Sequence, residues 1–236
     1  MASEEPGPPA FIPPARDELI AGIRKACGAT QTSLNRRALT DMLEDAADAV
    51  TDALEPRSIL KRTDITGLEQ GVLSGREVSV ASRKICRIVA GMDRAASIFG
   101  FALTLGAGLD ALTARTQRTS LSRALFLDAA GSFLAERWAV RIEDHLRSAL
   151  AHQDLELSAR FSPGYCDWDI ESGQRELFRF LSPEVIGISL LPSAMMSPVK
   201  SITGICIAAG RVPHRTPCAE CRKQHCRYRR ADDNRL

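Results

Sequence analysis

An arginine followed by a tight turn is the part of this sequence best suited to bind a small anion. The run from Arg160 to Tyr165 reads Arg-Phe-Ser-Pro-Gly-Tyr. Pro163 fixes its own φ angle and Gly164 tolerates a positive φ, so we predict a turn whose backbone groups a ligand can approach. The planar guanidinium of Arg160 is suited to pairing with a carboxylate. An ordinary surface turn with a solvated arginine fits the same residues.

Three closely spaced cysteines near the end of the sequence form a second candidate site. Cys218, Cys221 and Cys226 follow the spacing Cys-x-x-Cys-x-x-x-x-Cys, and neighbouring arginine and lysine side chains favour the thiolate form that binds metals. An iron–sulfur cluster with a fourth ligand from elsewhere fits these thiolates, and so does zinc with His214 or His225 completing the set. Free thiols in a basic tail are the alternative. We predict one metal centre at the three cysteines.

Three polar side chains share one face of a predicted long helix. Asp128, Ser132 and Glu136 recur every fourth residue, which places them on one side, roughly opposite the apolar stripe of the same helix. Small residues such as Gly131 lie among them and permit the close approach of a ligand or of another backbone. A simple solvated face fits the same spacing.

Two further motifs carry weaker signals. The run Met195–Gly204 combines a methionine pair with Pro198, Lys200 and Ser201, but methionines fill a core more often than they line a cofactor site. The glycine cluster at 104–108 lacks the Lys-Ser/Thr pair that follows the glycines of a phosphate-binding loop. Neither motif alone predicts a site.

The elements that must position these residues follow from hydrophobic spacing. We predict helices at 17–27, 33–54, 78–91 and 120–150, strands at 95–105, 154–161, 184–191 and 202–208, and strand-and-turn structure over 57–80. Helices and strands are interleaved without a βαβ rhythm, which predicts an α+β fold. We expect three segments: a disordered Pro-rich lead at 1–16, an α+β domain at 17–210 and a basic, Cys-rich, metal-binding tail at 211–236.

Composition narrows the class of protein. The chain has 236 residues, of which 44% are hydrophobic and 25% charged, as in an ordinary globular domain. A net charge of +2 gives no reason to expect a nucleic-acid or membrane partner. No apolar run reaches membrane-spanning length, and the Pro-rich start lacks a signal-peptide pattern. Seven cysteines in such a chain fit reduced thiols or metal ligation better than disulfides, so we expect a cytoplasmic protein.

Taken in order, the motifs resemble the AdoMet-binding reactivation domain of cobalamin-dependent methionine synthase. That family carries Arg-x-x-Pro-Gly-Tyr, then Gly-hydrophobic-x-Leu-x-x-Ser, then Met-x-Pro-x-x-Ser-hydrophobic-x-Gly. The counterparts here begin at Arg160, Gly187 and Met196. The helix segment from Leu127 to Glu136 is also similar to a family helix that carries an acidic residue at its end. The resemblance covers about residues 58–208.

The resemblance implies a twisted, mainly antiparallel sheet packed with helices, and it implies a site for AdoMet. By position, Arg160 would hold the carboxylate of the ligand, and Pro163 and Gly164 would contact the ligand through their backbone. Tyr165 would lie near the side that faces a corrinoid. A carboxylate at Glu136 would offset the sulfonium or ammonium charge of the ligand. Ser201 would support the site.

The sequence departs from the family at two ligand contacts. An aromatic–acidic motif near the start of the family domain has no counterpart in 57–80, and adjacent tyrosines after its last motif are replaced by Ala-Ala-Gly-Arg at 208–211. The methyltransferase, homocysteine and cobalamin-binding modules are absent from this sequence. A Cys-x-x-Cys ending is not part of the methionine synthase domain, but small stand-alone relatives carry a similar one.

The resemblance therefore implies a stand-alone reactivation factor for a corrinoid protein or a cobalamin-dependent methyltransferase. Such a factor positions AdoMet so that methyl transfer to cobalt draws forward an unfavourable reduction of cobalt(II). One alternative is a non-enzymatic corrinoid-binding or iron–sulfur electron-delivery module that no longer binds AdoMet. Another is an interaction protein with a zinc-binding tail.

Overall fold

The computed structural model describes residues 6–27 and 36–213, a part of the chain that alternates helices with strands. The helices are α1 (Arg16–Ala26), α2 (Arg36–Asp52), α3 (Arg83–Ala90), α4 (Ala107–Gln117), α5 (Leu121–Ala151) and α6 (Ile170–Leu181). The strands are β1 (Arg57–Glu69), β2 (Val72–Gly75), β3 (Ser79–Ala81), β4 (Ser97–Thr104), β5 (Glu156–Leu157), β6 (Ser189–Leu190), β7 (Met196–Ser197) and β8 (Ser201–Ala209).

Six of these strands form one sheet in the order β3-β2-β1-β4-β8-β5, and every neighbouring pair is antiparallel. The central strands β4 and β8 pair from Ser97 opposite Ala208 to Thr104 opposite Ser201. Both are buried along almost their whole length, because helices cover both faces of the sheet. The predicted α+β class and the mainly antiparallel sheet are confirmed.

Alternate residues of β4 serve two separate cores, because successive side chains of a strand point to opposite faces. Phe99 and Phe101 join the core formed with α1, α2 and α5. Ile98 and Ala102 join the core formed with α3 and α6. The result is three layers, with the sheet in the middle.

The long helix α5 forms as its sequence pattern predicts. The Ser120 side chain accepts a hydrogen bond from the N–H of Arg123 at 3.3 Å and so caps the first turn. The predicted apolar stripe of Leu127, Leu134, Trp138, Ile142 and Leu146 is entirely buried. This burial fixes the rotation of the helix and thereby the direction in which its polar face points.

The strand predicted at 184–191 is wrong over its first half. Pro183–Ile186 is a short 3₁₀ helix, and only Ser189 and Leu190 are in a strand. The left-handed φ angles of Ser182 (53°) and Gly187 (83°) turn the chain at both ends of the 3₁₀ helix. Ile186, Ile188 and Leu190 pack into the core formed with α3 and α6, and this every-second-residue burial resembles that of a strand in the sequence.

Other boundaries also differ from the prediction. The region 78–91 splits at the N-cap Ser82 into strand β3 and helix α3. The strand at 154–161 is reduced to Glu156–Leu157 and an isolated bridge between Phe161 and Ile205. Helix α4 was not predicted, because Leu109 is its only buried residue and the helix has no apolar stripe. Within the described residues, no helix is long and apolar enough to cross a membrane.

Candidate functional site

The polar face of α5 contacts two basic side chains, Arg160 from the segment between β5 and α6 and Lys200 from the segment directly before β8. Asp128 and Ser132 contact Lys200, and Glu136 contacts Arg160. All three side chains remain exposed, so this face of the helix is solvated and also pairs with two cations. Sequence reasoning found the three residues on α5 but missed Lys200, whose only signal was a lysine placed directly before an apolar strand.

Arg160 is enclosed by protein, since its side chain is only 1% exposed. Its Nη2 donates a hydrogen bond to Oε2 of Glu136 at 2.7 Å, and its Nε lies 3.8 Å from Oε1 of Glu143. Nε and Nη1 have no hydrogen-bond partner among the described residues, nor does Oε1 of Glu143. The guanidinium is thus held by two carboxylates but keeps unused donors.

The charge on Arg160 is secure despite this enclosure. Burial acts to lower the pKa of the guanidinium, but the charges of Glu136 and Glu143 outweigh burial and leave the pKa above its ordinary value. Glu143 also accepts a hydrogen bond from Nη2 of Arg147 at 3.2 Å. Arg160 is therefore a permanent cation beneath the polar face of α5.

A glycine in β8 makes room for the Arg160 side chain. A Cβ atom at Gly204 would lie 2.8 Å from Cγ and 2.9 Å from Cδ of Arg160. Contacts this short do not occur in real proteins, so the arginine stem crosses the strand where no side chain exists. The glycine at position 204 of the predicted motif thus has a steric explanation, because a larger residue there would block the path of the arginine side chain to α5.

Lys200 also passes close to a glycine, in this case Gly131 of α5. Its Nζ donates to Oδ1 of Asp128 at 2.6 Å and to Oγ of Ser132 at 2.9 Å, and its side chain is 10% exposed. A Cβ at Gly131 would lie 2.9 Å from Cγ of Lys200. The small residues noted on α5 therefore accommodate the lysine stem.

The predicted turn after Arg160 is present, and contacts at both ends hold it in place. Gly164 has a φ of +89°, and its N–H donates to the carbonyl of Trp168 at 2.8 Å. Asp167 accepts hydrogen bonds from the Ser82 hydroxyl and from the N–H of Lys84, and Trp168 is buried. Within the turn, Pro163 is buried and Gly164 is exposed. Because the turn is anchored at both ends, it also fixes the position of Tyr165, which follows Gly164.

A cavity of about 370 Å³ opens between these elements. It is lined by Ser132, Ala135, Glu136, Tyr165, Val199, Lys200, Ser201 and Ile202. Three predicted site residues, Glu136, Tyr165 and Ser201, thus share its wall. Arg160 does not line the cavity but lies behind Glu136. The Ser201 hydroxyl bonds to the Pro198 carbonyl at 2.7 Å and to the Thr104 hydroxyl at 2.9 Å, so it braces the wall.

The arrangement of sheet, long helix and turn has a known counterpart. The fold is that of the MetH reactivation domain. The crystal structure of the MetH reactivation domain bound to AdoHcy superposes with a TM-score of 0.57, at 15% sequence identity, over 85% of this chain and 78% of that chain. A scan of protein-family models and a search of curated proteins match nothing to this chain.

The part of the tail predicted to bind a metal lies outside the residues that the structure describes. Cys218, Cys221 and Cys226 lie outside the described residues. Between residues 6 and 213, apart from 28–35, no group of three His, Cys, Asp or Glu side chains is arranged to hold a metal ion. Near the predicted boundary at 210, Arg211 forms an isolated antiparallel bridge with Asp93.

Proposed function

We propose that the cavity binds AdoMet and that the chain is a reactivation factor for a corrinoid protein. The observation that carries this proposal is the cavity wall, which contains an acidic residue, Glu136, and a basic residue, Lys200. AdoMet has an amino-acid end with both signs of charge and a sulfonium, so a wall of mixed charge is suited to it. The volume of about 370 Å³ lies within the range of small-molecule sites. The AdoHcy-bound structure of the same fold supports the same ligand class.

The proposed reaction has two steps at a corrinoid carried by a partner protein. An external reductant first gives one electron to cobalt(II), which becomes cobalt(I). The cobalt(I) electron pair then attacks the methyl carbon of AdoMet, the carbon–sulfur bond breaks with its electrons on sulfur, and AdoHcy leaves. The contribution of this chain is placement, because holding the sulfonium methyl beside the cobalt replaces a rare collision with a local event.

Each residue has a distinct part in this proposal. Glu136 faces the positive charge of the ligand, and Arg160 holds Glu136 in place from behind. Direct contact of Arg160 with the ligand carboxylate, which the sequence resemblance implies, needs Glu136 to move aside, since the guanidinium is enclosed. Tyr165 forms the wall on the side of the turn at Pro163 and Gly164, whose backbone contact with the ligand we retain as part of the proposal.

Calorimetry under anaerobic conditions tests the ligand. We expect AdoMet and AdoHcy to bind to the wild type, and we expect Glu136→Gln to weaken both roughly tenfold because a charge-assisted contact is lost. Asp45→Asn is the control, since Asp45 also pairs with an arginine of α5, Arg123 at 3.0 Å, but does not line the cavity. A wild type that binds neither ligand would favour a corrinoid-protein module without AdoMet.

We also propose that Cys218, Cys221 and Cys226 hold one metal centre, an iron–sulfur cluster that delivers the electron, with zinc as the alternative. The support for this part is the spacing of the thiolates and the basic residues around them. Iron with visible absorption after anaerobic purification would support electron delivery. Colourless protein with zinc would leave a structural tail, and protein with neither metal after reconstitution would remove the metal centre.

A further inference from the structure

Lys200 is the one cation among the eight described residues that line the cavity. Arg160, the cation that the sequence resemblance places on the ligand carboxylate, lies behind Glu136 with a side chain that is 1% exposed. A ligand that enters the cavity therefore meets the lysine before it meets the arginine. Binding of such a ligand by Lys200 requires an N–H donor that its present partners do not use.

The hydrogen bonds of Lys200 leave it that capacity. An ammonium group has three N–H donors, and two of them are used by Asp128 at 2.6 Å and Ser132 at 2.9 Å. Both partners sit one and two turns before Glu136 on the same helix, so they fix the ammonium near the carboxylate end of the wall. Asp128 itself is half exposed, so its charge is partly screened by water and only partly neutralises the lysine.

We propose that Lys200 binds the carboxylate of the amino-acid end of AdoMet, while Glu136 meets its ammonium group. This inference rests on the proposed function, because it assigns the two charges of the same ligand. It replaces Arg160 as the carboxylate contact and makes Arg160 a positioning residue for Glu136. Gly131 contributes to this placement, because the absence of a side chain there lets the lysine stem pack directly against α5.

A comparison of two ligands tests the assignment without relying on activity. AdoHcy carries both the carboxylate and the ammonium, whereas decarboxylated AdoHcy keeps only the ammonium. We expect Lys200→Met to weaken AdoHcy roughly ten- to a hundredfold and to leave decarboxylated AdoHcy unchanged. Glu136→Gln should weaken both ligands by a similar factor, because both retain the ammonium.

Lys61→Met is the matched control. Lys61 is a partly buried lysine whose Nζ donates to the Phe180 carbonyl at 2.8 Å, and it lies outside the cavity wall. It should change neither affinity. If Lys200→Met weakens the two ligands equally, the lysine has a structural role only, and if it weakens neither, the assignment is wrong while the proposed function stands. A wild type that binds no AdoHcy overturns both.

A second variant keeps the inference testable if Lys200→Met does not fold. Asp128→Asn removes the negative charge that competes for Lys200, so AdoHcy should bind more tightly and decarboxylated AdoHcy should not. The ratio of the two dissociation constants is the quantity to measure. A ratio that stays at the wild-type value, or that shifts toward decarboxylated AdoHcy, contradicts the role of Lys200.

Discussion

Arg160 and Lys200 make the same two kinds of contact, with a glycine and with a carboxylate of α5, but they differ in their access to the cavity. Each stem crosses a glycine, Gly204 or Gly131, and each cation pairs with a carboxylate of α5 that is 53% exposed. Arg160 lies behind the wall between two carboxylates, whereas Lys200 stands in the wall of the cavity. The two cations therefore differ in access to the cavity, and our proposal assigns their different roles on that difference.

Arg160→Met should have the largest effect, a loss of about 3–5 kcal/mol in the free energy of unfolding. It removes the cation facing Glu143, whose side chain is 5% exposed, and so leaves a buried carboxylate poorly compensated. Urea unfolding followed by circular dichroism measures the loss. Arg175→Met is the control, because Arg175 lies at the same 2.7 Å from Glu171 with both side chains mostly exposed, and should cost less than about 1 kcal/mol.

A second substitution tests the cause of that loss. Adding Glu143→Gln to Arg160→Met removes the buried carboxylate, which in the single variant keeps only Arg147 as a cationic partner among the described residues, so the double variant should recover part of the lost stability. A double variant no more stable than Arg160→Met would show that lost packing of the arginine stem, and not the buried carboxylate, explains the effect.

The two glycines should respond differently to a methyl group. Gly204→Ala is expected to cost about 1–3 kcal/mol, because its Cβ meets the enclosed arginine stem in a central strand. Gly131→Ala should cost less, because alanine favours a helix by about 1 kcal/mol over glycine and so offsets part of the clash of its Cβ with Leu109 and Lys200. Equal losses in thermal unfolding would mean that both stems are equally confined.

Lys200→Met should cost only about 1 kcal/mol of stability. Its partner Asp128 is half exposed, so water can solvate the carboxylate once the ammonium is gone. The same urea titration used for Arg160→Met provides the comparison. If the two variants lose equal stability, enclosure is not what distinguishes the two cations.

The smallest effect concerns Asp167, which anchors the turn between Arg160 and α6. Burial acts to raise the pKa of Asp167, but hydrogen bonds from the Ser82 hydroxyl and the Lys84 N–H outweigh it and hold the pKa below its usual value. A depressed pKa gives stability that is present above the unfolded-state value near 3.9 and is lost as pH falls through the folded-state value. Asp167→Asn should therefore flatten the acid side of the stability curve. A curve as steep as that of the wild type would show that other carboxylates set the acid slope.

The sequence predicted the parts of this molecule that rest on periodic burial. The stripe of α5 and the apolar run of β4 identified their elements because each buries one continuous surface. The 3₁₀ helix at Pro183 escaped prediction because Ile186, Ile188 and Leu190 have the two-residue period of a strand. The polar face of α5 was found, but not its partners, since a sequence does not show which lysine crosses which glycine.

The enclosure of Arg160 escaped for a related reason. A guanidinium beside a turn predicts a surface contact, and only the packing of β8 against α5 shows that two carboxylates close over it. The motif positions include three residues of the cavity wall, Glu136, Tyr165 and Ser201, but the cation that they single out does not line the cavity. Lys200 had no motif role and became a candidate only through its place in the cavity wall.

Because helices shield β4 and β8 on both faces, the amide protons of these two strands should exchange with deuterium only when the whole domain opens. Their exchange rate then reports the total stability, and every variant above should shift it by the amount seen in urea. The short strands β6 and β7 pair over only two residues each, so their amides should exchange through local openings. Slower exchange at Met196 and Ser197 on addition of AdoHcy would reveal an occupied cavity even where the heat of binding is too small to measure.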